Sequence, residues 1–147
     1  SILVVGAMVL NVFLAMSGLP QNLAKLLNYM GSPMMGVLLI LALYVPLGMV
    51  MDATGMILLT LPLYMPFLVS NRVDLIWFGV LTILMVEIGL ITPPVGMNVY
   101  VVQGVIRVVP MPTIFRGMLP FLIADVVVLI ILILVPALSV YLPSAMR

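Results

Sequence analysis

The sequence predicts an all-α integral membrane protein with several membrane helices. Of its 147 residues, 66% are hydrophobic and only 6% are charged, whereas an ordinary soluble domain carries about 25% charged residues. Charge-free stretches cover residues 1–24, 26–51, 53–71, 88–106 and 126–146, and each is long enough to cross a hydrocarbon core of about 30 Å. Because polar and apolar residues do not alternate in them, a closed β-barrel is excluded.

Composition also excludes several kinds of chemistry. The chain has no Cys and no His, which removes disulfides, zinc, haem or copper ligation and His-based acid–base catalysis. Its net charge is +1 without a basic cluster, so no nucleic-acid partner and no organic cofactor are expected. Ser1 opens inside an apolar run, with no cleavable signal pattern. A start without Met, in mid-helix, suggests a fragment of a longer chain.

The first thirty residues predict two helices. Residues 1–19 form a membrane helix that ends near Met16, and residues 20–32 form an amphipathic helix with Pro20 in its first position. Gly31 is a good residue to stop it. The second helix lies in the membrane interface or is merely a connector. Its apolar face repeats at helical spacing and contains Leu23, Leu26, Leu27 and Met30.

Residues 33–70 predict a helical hairpin. Two apolar arms, 34–51 and 56–69, flank the polar tip Asp52-Ala53-Thr54-Gly55. Each arm is only about 25 Å long, which suits a re-entrant hairpin or two ordinary short spans joined by a tight loop. Asp52 can cap the second arm, Gly48 and Gly55 permit close backbone approach, and the Thr54 hydroxyl is a hard ligand for Na⁺.

Residues 74–109 predict a membrane helix that is broken at Pro93-Pro94. The two prolines cannot donate to the carbonyls of Gly89 and Leu90, and Thr92, which precedes a proline, is pushed out of the helical region. A bound cation such as Na⁺ can satisfy the freed carbonyls in lipid. The alternative is an ordinary proline kink satisfied by neighbouring helices and water.

Beyond the break, a second half-helix is expected over residues 97–109. Thr92 can cap it, with Pro93 in its first position. The N–H groups of residues 95–97, Gly96 included, then suit a carboxylate, because they form the positive end of the helix dipole. One break therefore offers both a cation site and an anion site. Asn98, two residues past Gly96, is a further candidate.

Two acidic residues lie inside apolar segments. Glu87 is expected to face protein or a water-filled cavity as a structural or ion-linked carboxylate, because a carboxylate in lipid is costly. Asp125 lies in the final predicted span, residues 117–143, where pairing or partial snorkelling is expected.

Several strings resemble the large permease subunit of tripartite ATP-independent periplasmic (TRAP) transporters. The resemblance runs from about Gly31 onward, and Thr-Pro-Pro-Val-Gly with its upstream glycine is its most specific part. The strings are Gly48-Met49-Val50-Met51-Asp52, Leu61-Pro62-Leu63-Tyr64-Met65-Pro66, Phe78-Gly79-Val80, Ile88 to Asn98, Met118-Leu119-Pro120-Phe121 and Pro136 to Pro143. The family's large subunit has two inverted halves, and this sequence is similar to only the C-terminal one.

The resemblance implies Na⁺-driven uptake of organic acids, such as dicarboxylates or sialic acid, by an elevator movement. It implies a bacterial inner-membrane location, a periplasmic binding protein, a small membrane subunit and the missing N-terminal half as partners. Residues 1–19 match a scaffold helix and 20–32 an arm helix. The residues implied for Na⁺ and substrate contact are Gly48, Asp52, Thr54, Gly55, Gly89, Leu90, Thr92, Pro93, Gly96 and Asn98.

Other functions stay open from sequence. One is an anion transporter of the same superfamily that needs no binding protein. Another is an intramembrane aspartyl protease using Asp52 and Asp125, which requires the two carboxyl groups to face each other. A scaffold subunit without a site is the third. For orientation, Arg107 and Arg116 share one short loop that the positive-inside rule assigns to the cytoplasm, so a re-entrant hairpin opens outward.

Overall fold

The computed structural model describes residues 2–93 and 96–146, with the side chain of Leu142 outside the description. Within these ranges the chain forms helices only, which confirms the all-α prediction. They are α1 (Ile2–Ser17), α2 (Leu19–Tyr29), α3 (Pro33–Val50), α4 (Ala53–Ser70), α5 (Leu75–Ile91), α6 (Met97–Val105), α7 (Met111–Leu134) and α8 (Ala137–Ala145).

Three of the described helices, α3, α4 and α7, are long and apolar enough to span a membrane. The bent pair α1 and α2 counts as a fourth if it is one span, and α5, at 17 residues, falls just short. These counts rest on length and composition alone. The choice between a re-entrant hairpin and two full spans therefore depends on how the helices pack.

A glycine sets the angle between the first two helices. Gly18 adopts the left-handed conformation (φ 69°), and the axes of α1 and α2 differ by 64°. Because α2 begins at Leu19, Pro20 is its second residue, one position later than expected. Gly31, with φ 83°, follows the helix end as predicted.

The face that α2 buries differs partly from the expected one. Pro20, Ala24 and Leu27 are buried and α2 packs mainly against α4, whereas Leu26 remains 64% exposed. The packed face is turned because the bend at Gly18 fixes how α2 meets α4. The Asn71 side-chain amide donates to Asn28 Oδ1 at 2.7 Å, which joins the two helices near their C-terminal ends.

The hairpin is tighter at its tip than the sequence predicted. Only Met51 and Asp52 lie between α3 and α4, and Ala53-Thr54-Gly55 forms the first turn of α4 instead of a polar loop. The reason is that Asp52 caps α4 and lets the helix begin at once. Each arm has 18 residues, or about 27 Å. Pro62 and Pro66 are accommodated inside α4.

The core lies between α3 and α5. Tyr44, Phe67, Phe78 and Leu81 are among its fully buried side chains. Among the described helices α3 packs most extensively against α5, and these two helices touch near their C-terminal ends. They therefore run parallel, and α4 runs antiparallel to both.

The C-terminal part of the chain departs from the expected single span over residues 117–143. α7 already begins at Met111, after Pro110, and ends at Leu134. Val135 leaves the helical region (φ −126°) because it precedes Pro136, and α8 follows as a separate helix. The second half-helix is also shorter than expected, since α6 ends at Val105.

Candidate functional site

The two predicted interruptions meet at Gly48 and Gly89. A Cβ atom on Gly48 would lie 2.9 Å from Gly89 Cα, and one on Gly89 would lie 2.9 Å from Gly48 Cα. The Cβ atom on Gly89 would also lie 3.0 Å from the carbonyl oxygens of Tyr44 and Val45. No side chain therefore separates the backbone of α3 from that of α5 just before the hairpin tip and just before the break.

Helix α5 ends where the double proline predicted. Thr92 has φ −78° and ψ 129°, an extended conformation, and Gly96 is left-handed with φ 47°. A Cβ on Gly96 would lie 3.2 Å from the carbonyl oxygen of Thr92, so Gly96 packs against the end of α5. Residues 88–98 are thus not one continuous rod. Pro94 and Val95, which sequence reasoning also invoked, lie outside the described residues.

Thr92 closes α5 and does not open α6. Its hydroxyl donates to the carbonyl of Ile88, and its N–H donates to the carbonyl of Gly89 at 3.3 Å. The expectation that Thr92 caps the second half-helix, with Pro93 in its first position, is wrong. Gly96 holds the N-cap position and α6 begins at Met97, because the turn needs a left-handed residue immediately before the helix.

At the hairpin tip, Asp52 is the predicted N-cap. Its Oδ2 accepts from the Gly55 N–H at 3.0 Å, and a Cβ on Gly55 would lie 2.8 Å from Asp52 Oδ1. Asp52 and Thr54 are both exposed. In the described ranges no hydrogen bond joins them to the break. The contact between tip and break is made by the glycine backbones.

Four helix ends consequently converge at one level. The C-terminal ends of α3 and α5 meet through Gly48 and Gly89, only two residues separate the end of α3 from the start of α4, and Gly96 at the start of α6 packs on Thr92. Helix C-termini carry partial negative charge and N-termini partial positive charge. One small region therefore presents groups that attract cations and groups that attract anions.

The remaining predicted residues lie around this region. Leu90 is half-buried, Pro93 is exposed, and Asn98 is exposed in the first turn of α6. Glu87 is also exposed, so the described chain does not supply the protein surface it was expected to face.

Asp125 lies away from this region, on α7. It is half-buried and shares its stripe of α7 with Leu122 and Leu129, which pack against the core. In the described parts of the chain, α7 contacts α5, α6 and α8 but not the hairpin. Asp52 and Asp125 therefore do not face each other as an aspartyl protease would require.

Sequence reasoning missed one buried polar pair. The hydroxyls of Tyr44 in α3 and Thr60 in α4 lie 2.7 Å apart, and Thr60 also donates to the carbonyl of Met56 at 2.7 Å. The sequence did contain a signal for this pair. Each of the two residues lies eight positions from Asp52, and residues equally far from the tip lie opposite each other in an antiparallel hairpin.

The fold and this paired interruption define an all-helical membrane protein with a hairpin seated against a broken helix. Residues 1–138 match the family model of the tripartite ATP-independent periplasmic transporter, DctM component. The chain belongs to this family, and the match extends the resemblance seen from Gly31 back to the first residue.

Curated relatives agree with the family match. The chain is 33% identical over 97% of its length to the C4-dicarboxylate TRAP transporter large permease protein DctM of Pseudomonas aeruginosa, of which it covers 33%. It is 35% identical over 98% of its length to the sialic acid large permease SiaM of Vibrio cholerae, of which it covers 34%. Over 77% of its length it is 38% identical to the sialic acid permease SiaT of Haemophilus influenzae, covering 18% of that protein. The chain thus spans about a third or less of these relatives, where one half was expected.

Proposed function

We propose that this chain forms one ion- and solute-binding element of a Na⁺-driven TRAP large permease that imports an organic acid. The contact between Gly48 and Gly89 carries the proposal. It joins the hairpin tip to the helix break, two places in this apolar chain where regular backbone is interrupted and can bind ions.

The helix ends support separate cation-binding and anion-binding parts within the site. The region offers hard oxygen donors suited to Na⁺. They are the backbone carbonyls at the ends of α3 and α5 and, nearby in sequence, the hydroxyls of Thr92 and Thr54 and the carboxylate of Asp52. The start of α6 offers N–H groups suited to a substrate carboxylate, whereas at the start of α4 the Gly55 N–H already donates to Asp52. Bringing both kinds of helix end together couples the two ligands, because a bound cation favours an anion beside it.

Packing against α7 supports a re-entrant hairpin. Ile91 and Pro93 share a cavity of about 150 Å³ with residues 115–122 of α7, while Trp77 Nε1 donates to the carbonyl of Leu132 at 2.8 Å. α7 is therefore antiparallel to α5, and about 10 Å of its N-terminal end extends past the level of the break. Since the hairpin tip lies at the level of the break, it stops short of the level that the N-terminal end of α7 reaches.

The substrate class follows from the relatives' names and the site's chemistry. The named substrates are sialic acid, C4-dicarboxylates and, in an Escherichia coli relative, 2,3-diketo-L-gulonate. All are carboxylates, and the proposed anion-binding start of α6 suits that group. We propose a periplasmic binding protein, a small membrane subunit and the remainder of the large permease as partners in a bacterial inner membrane. The packed hairpin and α5 would move together in an elevator step, with α2 as the connecting arm.

Uptake into liposomes tests the proposal. The full permease with its small subunit and binding protein is reconstituted, and uptake of labelled sialic acid and succinate is compared under an inward Na⁺ or K⁺ gradient. We expect uptake of one carboxylate that needs both Na⁺ and the binding protein. Uptake without Na⁺ dependence contradicts the proposal, and Na⁺-dependent uptake without the binding protein favours the related binding-protein-independent transporter.

A further inference from the structure

Tyr44 connects its own helix α3 with α4 and α5 beside the proposed site. It belongs to α3 and is fully buried. Its hydroxyl reaches Thr60 in α4 at 2.7 Å, and its backbone carbonyl lies where a Cβ on Gly89 in α5 would approach to 3.0 Å. One residue therefore joins both arms of the hairpin and lies against the end of the broken helix.

The direction of these hydrogen bonds is fixed because each hydroxyl group has a single proton to donate. The carbonyl of Met56 can only accept, so the single Thr60 hydroxyl proton goes to it. Tyr44 must then donate its own proton to Thr60 Oγ1. The chain runs from Tyr44 through Thr60 to Met56, whose carbonyl lies one turn from the tip, and each of these three residues is at most 7% exposed.

We propose that Tyr44 is a positioning residue for the ion site. Its hydroxyl fixes α4 relative to α3, and this keeps the tip in register with the glycine contact. Large side chains separate the two arms, with Tyr44 and Tyr64 ring centres 6.3 Å apart, and α3 packs less closely on α4 than on α5. A directional bond is what fixes the register between such arms, because apolar packing alone tolerates sliding.

The inference rests on the proposed Na⁺ site, and Tyr44→Phe tests it in the full permease. Removing one hydroxyl keeps the ring and its packing. We expect the Na⁺ concentration for half-maximal uptake to rise about three- to tenfold, the range that one net hydrogen bond supplies. Maximal uptake should stay within about twofold of the original protein.

Matched variants separate positioning from general loss of packing. Thr60→Val, which removes the acceptor, should shift Na⁺ dependence in the same direction, and Thr60→Ser, which keeps a hydroxyl, should restore it. Tyr64→Phe is the control, since in the described residues the Tyr64 hydroxyl makes no hydrogen bond. An unchanged Tyr44→Phe response, or an equal shift in Tyr64→Phe, overturns the proposal.

A second measurement distinguishes failure of this inference from failure of the proposed function. Amide hydrogen exchange of the full permease in nanodiscs is followed in Tyr44→Phe. We expect exchange in residues 50–56 to accelerate about three- to tenfold while residues 97–105 stay unchanged. If the original protein shows no Na⁺ dependence, the proposed function fails and this exchange result alone decides the positioning role. Unchanged exchange at residues 50–56 overturns it.

Discussion

Gly48 and Gly89 lie in backbone contact, and a methyl group on either residue would come within 2.9 Å of the other's Cα. The contact aligns the last turn of α3 with the last turn of α5. It connects the hairpin tip with the helix break although 41 residues separate the two glycines along the chain.

Replacing Gly89 by Ala should destabilise the permease. Overpacking costs about 1–3 kcal/mol, and the three nearest atoms here are backbone atoms that cannot rotate away. The matched control is Gly79→Ala in the same helix, where nothing lies within 4 Å of the added Cβ. That control should be neutral or more stable by up to about 1 kcal/mol, because Ala favours helix. Thermal unfolding in detergent measures both, and equal unfolding temperatures would contradict the contact.

Two substitutions of Asp52 should distinguish its role as a helix cap from the role of its charge. Asp52→Ala removes the acceptor for the Gly55 N–H and should cost about 1 kcal/mol of stability. Asp52→Asn keeps a capping oxygen, so its stability should match the original, while its lost charge should weaken Na⁺ activation of uptake. An Asn variant with normal Na⁺ activation would leave Asp52 as a cap alone.

Thr92→Ala should weaken the Na⁺ dependence of transport. The substitution removes the hydroxyl that holds the end of α5 through the Ile88 carbonyl, and a freed carbonyl in the break no longer keeps its direction. Thr92→Ser retains the hydroxyl and serves as the control. Na⁺ titration of uptake in the intact system is the measurement, and an unchanged response in the Ala variant removes Thr92 from the site.

Orientation can be measured directly because the chain has no Cys. Arg72 lies between α4 and α5, at the open end of the hairpin, and is exposed. A single Arg72→Cys substitution in a cysteine-free permease should react with an impermeant maleimide from the periplasm, and Arg107→Cys only from the cytoplasm. The reverse pattern would invert the proposed topology.

The Asp52 cap and the position of the break were predictable from sequence, since their causes are local. The tandem Pro93-Pro94 lacks two N–H donors and restricts Thr92, which favours a helix end there, whereas the separate prolines Pro62 and Pro66 stay inside α4. Asp52 precedes an apolar run and caps it. The role of Thr92 was not predictable, because its hydroxyl could either donate to a carbonyl of α5 or accept from an N–H of the next helix, and in the structure it donates to Ile88 while Gly96 caps α6.

By itself, the sequence determined that this protein is an all-helical membrane protein with interruptions near Asp52 and Pro93, because composition, capping and tandem-proline chemistry act within a few residues. Only the tertiary structure decided that the interruptions meet, that Tyr44 bonds Thr60, and that α2 turns Ala24 and Leu27 toward α4. Those outcomes depend on which helices pack together and at what angle. In an almost uniformly apolar chain, hydrophobic periodicity specifies neither, whereas glycine contacts and single buried hydrogen bonds do.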